Sequence, residues 1–444
     1  MIAVRRSLFL SLPLVALAVF FPSLQGCAVN PVTGKSELAF YRMSEQEEIA
    51  LGRKAFPQAV QQMAGEYDDP QLKQYLSTVG MRLAGVSHRP GLPYTFKVVN
   101  DSQPNAFAVP GGNIAITRGL LIDLENEAQL AAVLGHEIGH VTARHSLQNL
   151  QRGILLNLGL QILSYQASGA SYGILARQAG QIAGALVDSS YSREEEREAD
   201  RLGIDYMVKA SYNPKGAVQL QEYFWKKSGE KDPLWINGLF RTHPFSRERM
   251  RDNQNYIENV HAAALENDAY VLGAEGFGQA MASLRRNREA FADYDRARER
   301  ERARDLAGAI PLYEQAARKA PEQSLLHSGL GMAYLKSNRL GEAKNALRRA
   351  LSINGGYFES HFGLGYALLK ENEPGQARSH LEQSMKLMPT LGCAFFLAEA
   401  CEKSSAPREA FQLYRQVAEA DPSGPLGKNA SVRAQALARQ YGGQ

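Results

Sequence analysis

His136-Glu137-Ile138-Gly139-His140 places two imidazoles and a carboxylate within five consecutive residues. Around it, Leu130, Val133, Leu134, Ile138 and Val141 recur at three- and four-residue spacing, which predicts a helix between Asn126 and Ser146. On a helix, residues i and i+4 share a face, so His136 and His140 can reach one zinc ion at about 2.0–2.1 Å. Glu137, about 100° further round, stands beside the open coordination position, where a carboxylate can take a proton from the attacking water. Two surface histidines on an amphipathic helix would share the spacing, but the apolar flanks here bury this turn.

Zinc needs a further ligand. The longer pattern with a third histidine six residues on would require Gly at 143 and His at 146, where this chain has Ala143 and Ser146. His145 lies about 140° round the helix from His140 and reads as a group behind the ligands or on the surface. Ser192 to Asp200 offers four glutamates on a second helix, whose apolar stripe runs through Ala199, Leu202, Gly203 and Tyr206. That stripe turns Glu195 or Glu196 toward the core. Only Glu196 has an aspartate four residues on. Asp200 could hold a ligand imidazole by its second nitrogen, which favours Glu196; the remaining acids read as a solvated helix face.

The elements that must position these groups lie in a chain of 444 residues, enough for about three domain-sized units. A composition of 44% hydrophobic and 22% charged residues, with mean hydropathy −0.32, excludes pervasive disorder and a polytopic membrane protein. Fifty Lys and Arg against 46 Asp and Glu leave +4, too small an excess to imply a nucleic-acid partner. Helix is predicted over 44–88, with Ser44 and Glu47 forming a capping box, and over Ser192–Ala210. Tyr94–Val99 reads as extended, and Pro104–Thr117 contains a second extended stretch around Pro110-Gly111-Gly112. Gly153–Val187 is apolar and glycine-dotted, in runs shorter than the roughly 20 residues of a spanning helix, and reads as a helical hairpin or lid. Pro233–Pro244 reads as a loop. Cys393 and Cys401, about 12 Å apart along one predicted helix, are too distant for a disulfide and read as buried apolar groups.

At the N-terminus, Arg5 and Arg6 precede the apolar stretch Ser7–Leu24, a pattern expected of an export signal over residues 1–26. Its ending, Leu24-Gln25-Gly26-Cys27, resembles a bacterial lipobox. That implies a diacylated Cys27 as the mature N-terminus and a lipid anchor, with Ala28 favouring the outer membrane; an uncleaved anchor or simple secretion is the alternative.

Past about residue 285 the chain repeats itself. Ala309, Ala343, Ala377 and Ala410 recur at spacings of 34, 34 and 33. Twelve residues before them stand Ala297, Gly331, Gly365 and Ala398, and twelve after stand Pro321, Gly355, Pro389 and Pro422. Small residues where two helices cross, then a breaker, resemble the tetratricopeptide repeat. Leu426–Tyr441 would be the capping helix, and the arginine-rich Arg285–Arg304 a solvated helix face.

The His136–His140 motif, the S-R-x-x-E-x-x-A-D segment Ser192–Asp200, the N-A-F-A-x-P-G-G run Asn105–Gly112 and Thr242-His243-Pro244 occur together in this chain. The set resembles the zinc metallopeptidases related to the CAAX prenyl endopeptidase, and among them the periplasmic members with C-terminal tetratricopeptide repeats. The resemblance covers roughly residues 40–260, and the repeats nearly all the rest. It implies a mainly α fold: an α-rich gluzincin zinc-peptidase domain with a small β-sheet over 27–262, a linker over 263–286 and an α-helical repeat solenoid over 287–444. One zinc per chain would sit on His136, His140 and Glu196, with Glu137 as general base and Asp200 as the carboxylate behind the ligands. Asn105, Ala106, Phe107, Ala108 and Val109 would form an exposed edge strand that binds substrate backbone by strand addition. His243 would either stabilise the oxyanion or close the zinc as a fourth ligand in a latent enzyme, and the resemblance favours the latent form. The implied function is a periplasm-facing, lipid-anchored endopeptidase in the quality control or assembly of envelope proteins. Its substrates would be proteins or peptides, and the repeats would dock substrate or the outer-membrane β-barrel assembly machinery. The other reading is a chaperone or scaffold acting through the repeats with a structural zinc. Three protein ligands beside a free glutamate, which leave a position open, speak against a purely structural site.

Overall fold

The computed structural model describes residues 27–30, 32–34, 36–38, 43–150, 182–188, 190–227, 242–243 and 245–441. The expected export signal, most of the expected hairpin (151–181) and most of the expected 233–244 loop lie outside these. Within residues 1–42, a separate unit, β1 (Cys27–Val29) pairs antiparallel with β2 (Ser36–Leu38), so Cys27 stands opposite Leu38. The turn between them is built on Asn30, whose Oδ1 accepts from the Val32 amide at 2.9 Å.

The second unit, residues 43–444, begins with the predicted Ser44–Glu47 capping box and α1 (Glu45–Gln62). The stretch expected to be helical over 44–88 forms two helices. Ala64 and Gly65 take positive φ (63° and 81°), and α2 (Pro70–Ala84) restarts behind an Asp69 cap with Pro70 at its first turn. Three strands follow: β3 (Thr95–Val99), β4 (Ala106–Val109) and β5 (Asn113–Thr117). Their order is β3-β5-β4, with β3 parallel and β4 antiparallel to the central β5. After the short α3 (Arg118–Leu121) comes α4 (Glu127–Thr142), which carries both histidines and is capped by Asn126. Its mate α5 (Arg193–Lys209) starts on a capping box of Ser192 and Glu195; α6 (Lys215–Lys227) and α7 (Arg247–Val260) close round the pair.

The segment 263–286, expected as a linker, is part of the packed body. It folds into the short helices Ala274–Ala280 and Ala282–Arg286 after Ala262–Leu265, and Phe277, Met281 and Leu284 are buried. Burying three large apolar side chains within 24 residues is incompatible with a free connector.

The repeats form as helix pairs: Arg288–Arg302 with Leu306–Lys319, Ser324–Lys336 with Leu340–Ile353, Phe358–Lys370 with Pro374–Leu387, and Leu391–Lys403 with Pro407–Ala420. Pro425–Tyr441 is the cap. Ala309, Ala343, Ala377 and Ala410 are fully buried, and a Cβ on Gly331 or Gly365 would fall 2.5 or 2.7 Å from a leucine Cγ of the paired helix. A second periodicity marks the turns within the pairs: Arg304, Asn338, Asn372 and Ser405 all take positive φ, between 58° and 64°. Cys393 and Cys401 are buried free thiols, as expected.

The arm docks on the body along its inter-repeat turns. Asp68 accepts from the Ser324 amide (2.9 Å) and the Asn354 amide group (2.6 Å). Gln61 accepts from the Phe358 amide at 2.9 Å and donates to the Gly356 carbonyl at 2.7 Å. Arg118 pairs with Asp295 while its guanidinium lies 4.0 Å over the Phe291 ring. No helix among the described residues is long and apolar enough to cross a membrane.

Candidate metal centre

Two helices make the centre by crossing at backbone contact. A Cβ on Gly139 of α4 would sit 2.7 Å from the Ala199 carbonyl oxygen of α5, and one on Gly203 of α5 would meet Gly135 C and His136 N at 2.8 Å. Only glycines permit that approach. It brings His136 and His140 from α4 opposite Glu196 and Asp200 from α5. His136 Nε2 lies 3.0 Å from His140 Nε2, and His140 Nε2 lies 3.3 Å from Glu196 Oε1. His243 enters from the 242–243 segment, its Nδ1 2.9 Å from Glu196 Oε1 and 3.2 Å from His136 Nε2. These four residues each offer one ligand atom, all within 4.8 Å of one another.

The donor set fits a cation. Glu196, His140 and His243 are buried, and nitrogen and carboxylate lone pairs of four residues converge on one place. The Glu137 Oε2 and His243 Nε2 atoms are buried without a hydrogen-bond partner among the described residues. His243 Nε2 lies 3.6 Å from Glu137 Oε1, so the candidate base and the fourth imidazole face each other across the site.

Behind the cluster, Asp200 Oδ1 lies 2.9 Å from His136 Nδ1. Arg249 on α7, which no sequence motif pointed to, contacts both acids: its guanidinium pairs with Glu196 and, through Nη2 at 2.7 Å, with Asp200 Oδ1. Asn253, one turn on, donates to Asp200 Oδ2 at 2.6 Å. Burial would raise both carboxyls, but Arg249, with His136 and, at Glu196, His243, holds them well below the usual carboxylate range. Burial pushes Glu137 up and His140 well down. At His243 burial pulls down, yet Glu196 and Glu137 carry it above the ordinary imidazole value. Sequence spacing alone could have flagged Arg249 only as one of several arginines on an amphipathic helix.

Glu195 is not in the cluster: its carboxylate closes the cap, accepting from the Ser192 amide at 2.8 Å. His145 is buried and not on the surface: α4 ends at Thr142, Arg144 turns left-handed (φ 60°), and His145 Nδ1 comes back to within 2.9 Å of His140 Nδ1. Helical extrapolation from His140 does not apply past the break. Tyr191, also unforeseen, stacks its ring on His140 with centroids 3.8 Å apart.

Asn105–Val109 needs a correction. β4 is an edge in its pairing, but it is buried and not exposed: no residue from Asn105 to Val109 is more than 4% exposed. Phe107 and Val109 pack with Phe56, Ala183, Leu186 and Val187. Thr117 N donates to Asn105 O at 2.9 Å, and strand alternation then turns the Ala106 and Ala108 peptides to the unpaired edge. There the Ala108 carbonyl accepts from Ser146 Oγ at 3.0 Å. Beside the ligands a pocket of about 650 Å³, counted with its open mouth, is walled by Val133, Ile204, Met207, Leu220 and Phe224.

Comparison with known proteins matches residues 70–257 to peptidase family M48 and residues 302–357 to the tetratricopeptide repeat. The β-barrel assembly-enhancing protease of Escherichia coli (strain K12) is 27% identical over 301 residues, covering 65% of this chain and 56% of that protein. The protein of the same name from Yersinia pestis is 32% identical over 240 residues, covering 51% of this chain and 47% of that protein. The metalloprotease YcaL of Escherichia coli (strain K12) is 30% identical over 192 residues, covering 42% of this chain and 73% of that protein. The chain thus spans about half the length of the two β-barrel assembly-enhancing proteases it matches.

Proposed function

This chain belongs to peptidase family M48, a metallopeptidase family, and from that premise we propose that it is a zinc-dependent endopeptidase of the periplasm. In this reading Cys27 anchors it by lipid to the outer membrane, and it cuts envelope proteins in quality control or assembly. The observation that carries the reading is the buried cluster of His136, His140, Glu196 and His243 with Glu137 across from it. His136, His140 and Glu196 would hold one zinc, which when bound supplies a Lewis acid for the scissile carbonyl and an acidified water. Glu137 takes a proton at its free Oε2 and returns it to the leaving amine. Asp200 keeps His136 in the tautomer that presents Nε2. The apolar pocket receives a substrate side chain, and the edge of β4 receives substrate backbone once the Ser146 hydroxyl gives up the Ala108 carbonyl.

His243 reads as a latch. With its Nδ1 among the ligand atoms it fills the position that substrate and water need, which favours the latent form. The repeat arm would bring substrate or the outer-membrane β-barrel assembly machinery to the latch; the name of the two enterobacterial relatives supports that role. A second reading, a chaperone or scaffold working through the arm, is favoured by the same sealed ligand set.

Zinc content and casein hydrolysis on the chain from residue 28 test this. Wild type should hold one zinc per chain. Glu137→Gln should keep the zinc and lose hydrolysis by about 10²–10⁴-fold, and His243→Ala should raise hydrolysis. A Gln variant with undiminished cleavage sinks the base assignment. One zinc with no cleavage in any variant moves the conclusion to the scaffold.

A further inference from the structure

His140 turns its second ring nitrogen to a partner different in kind from that of His136. Behind His136 stands the Asp200 carboxylate; behind His140 stands another imidazole, with His145 Nδ1 2.9 Å from His140 Nδ1. His145 is 2% exposed, and its Nε2 points to Glu198 Oε2 at 3.4 Å. We propose that His145, backed by Glu198, is a positioning residue that sets the tautomer and ring orientation of the ligand His140. The inference rests on the zinc reading above.

The proton count leaves one arrangement. His140 presents Nε2 to the ligand cluster, 3.0 Å from His136 Nε2 and 3.3 Å from Glu196 Oε1; with zinc held there, that nitrogen gives its lone pair to the metal and Nδ1 carries the hydrogen. His145 Nδ1 therefore accepts, and its own hydrogen sits on Nε2, directed at the acceptor-only carboxylate of Glu198. A neutral acceptor behind one ligand and a carboxylate behind the other orients both rings with a charged partner directly behind only His136. The Tyr191 ring stacks on a face of His140, and His145 meets its edge at Nδ1, so the two contacts together fix the ring.

The backbone is built to deliver His145 there. Arg144 holds a positive φ that a bulky residue seldom takes, and its guanidinium is fixed by Glu48, with Nε 2.9 Å and Nη2 2.8 Å from Oε2. Glu48 also accepts from the Gly111 amide at 3.3 Å and from Arg89, whose Nη1 reaches the Val141 carbonyl at 3.3 Å. A chain reversal secured by a buried carboxylate and two arginines is more than core packing of one imidazole requires.

Two substitutions separate positioning from packing. His145→Leu keeps volume and removes the acceptor; His145→Asn returns an acceptor oxygen near the place of Nδ1. Zinc affinity, measured by competition with a chromophoric chelator, should fall about 10–100-fold in the Leu variant and recover most of that in the Asn variant. Equal weakening in both, or none in Leu, overturns the proposal. Side-chain ¹⁵N NMR of the zinc-loaded wild type gives an independent answer and needs no variant to fold: His145 should carry its hydrogen on Nε2. A hydrogen on Nδ1 refutes the proposal whatever the zinc result. A wild type that binds no zinc would instead refute the metallopeptidase reading and this proposal with it, whereas zinc binding with the wrong tautomer refutes this proposal alone.

Discussion

Single side chains carry the chemistry here, but others set the terms. Glu48 is 1% exposed, and burial alone would raise its carboxyl; Arg89 and then Arg144 hold it below the ordinary glutamate value of 4.5. A carboxyl depressed on folding contributes stability above its unfolded value and loses that contribution as pH falls through the lower folded value. The melting temperature of the wild type should therefore drop as pH is lowered below about 4.5. Glu48→Gln should start lower at neutral pH and lose less over the same acid range. Parallel melting curves against pH for the two proteins would show that Glu48 is not among the acid-labile groups. Arg249 has the same character at the centre itself, since a guanidinium against both Glu196 and Asp200 lets two carboxylates stay buried and charged.

The helix crossing is the element on which the centre depends. The ligand distances follow from how closely α4 approaches α5, and Gly135, Gly139 and Gly203 set that limit. Gly139→Ala adds a methyl 2.7 Å from a carbonyl oxygen, so one helix must move by several tenths of an ångström. An alanine inside a helix gains about 1 kcal/mol of propensity over glycine, but overpacking costs about 1–3 kcal/mol. The variant is expected to unfold at lower denaturant than wild type and to bind zinc at least tenfold more weakly. Unchanged zinc affinity would mean that the ligand side chains, and not the crossing, adjust the site. The glycine inside His136–His140 is thus as much a part of the site as the residues flanking it.

At the scale of the whole molecule, peptidase body and repeat arm are one packed unit, which changes what a truncation can report. Tyr67 and Arg118, buried in the full chain, lie against Phe291 of the first repeat helix. Deleting residues 287–444 uncovers them together with Asp68, so the remainder should melt well below the full chain and associate. A truncated chain that melts at the full-length temperature would show that the interface is incidental. The milder probe is Asp68→Ala, which removes the acceptor for Ser324 and Asn354 and should lower unfolding free energy by about 2–3 kcal/mol.

The residue types of the centre, the helical spacing of His136 and His140, the placing of Glu196 and Asp200 toward those histidines, and the 34-residue period of the arm were all legible along the chain. Each is a local regularity, a spacing of three, four or thirty-four residues that periodicity exposes. The rest came from contacts between segments far apart in sequence. Arg249 reaches Glu196 across 53 positions, and Asp68 reaches Asn354 across 286. The return of His145 to His140 needed a helix to end three residues before it. The burial of β4 depended on what packed over it, and a strand's own residues do not say whether its edge is open. Spacing specifies which atoms a helix can present on one face; which other atoms meet that face is settled only when apolar surfaces from the whole chain compete for burial.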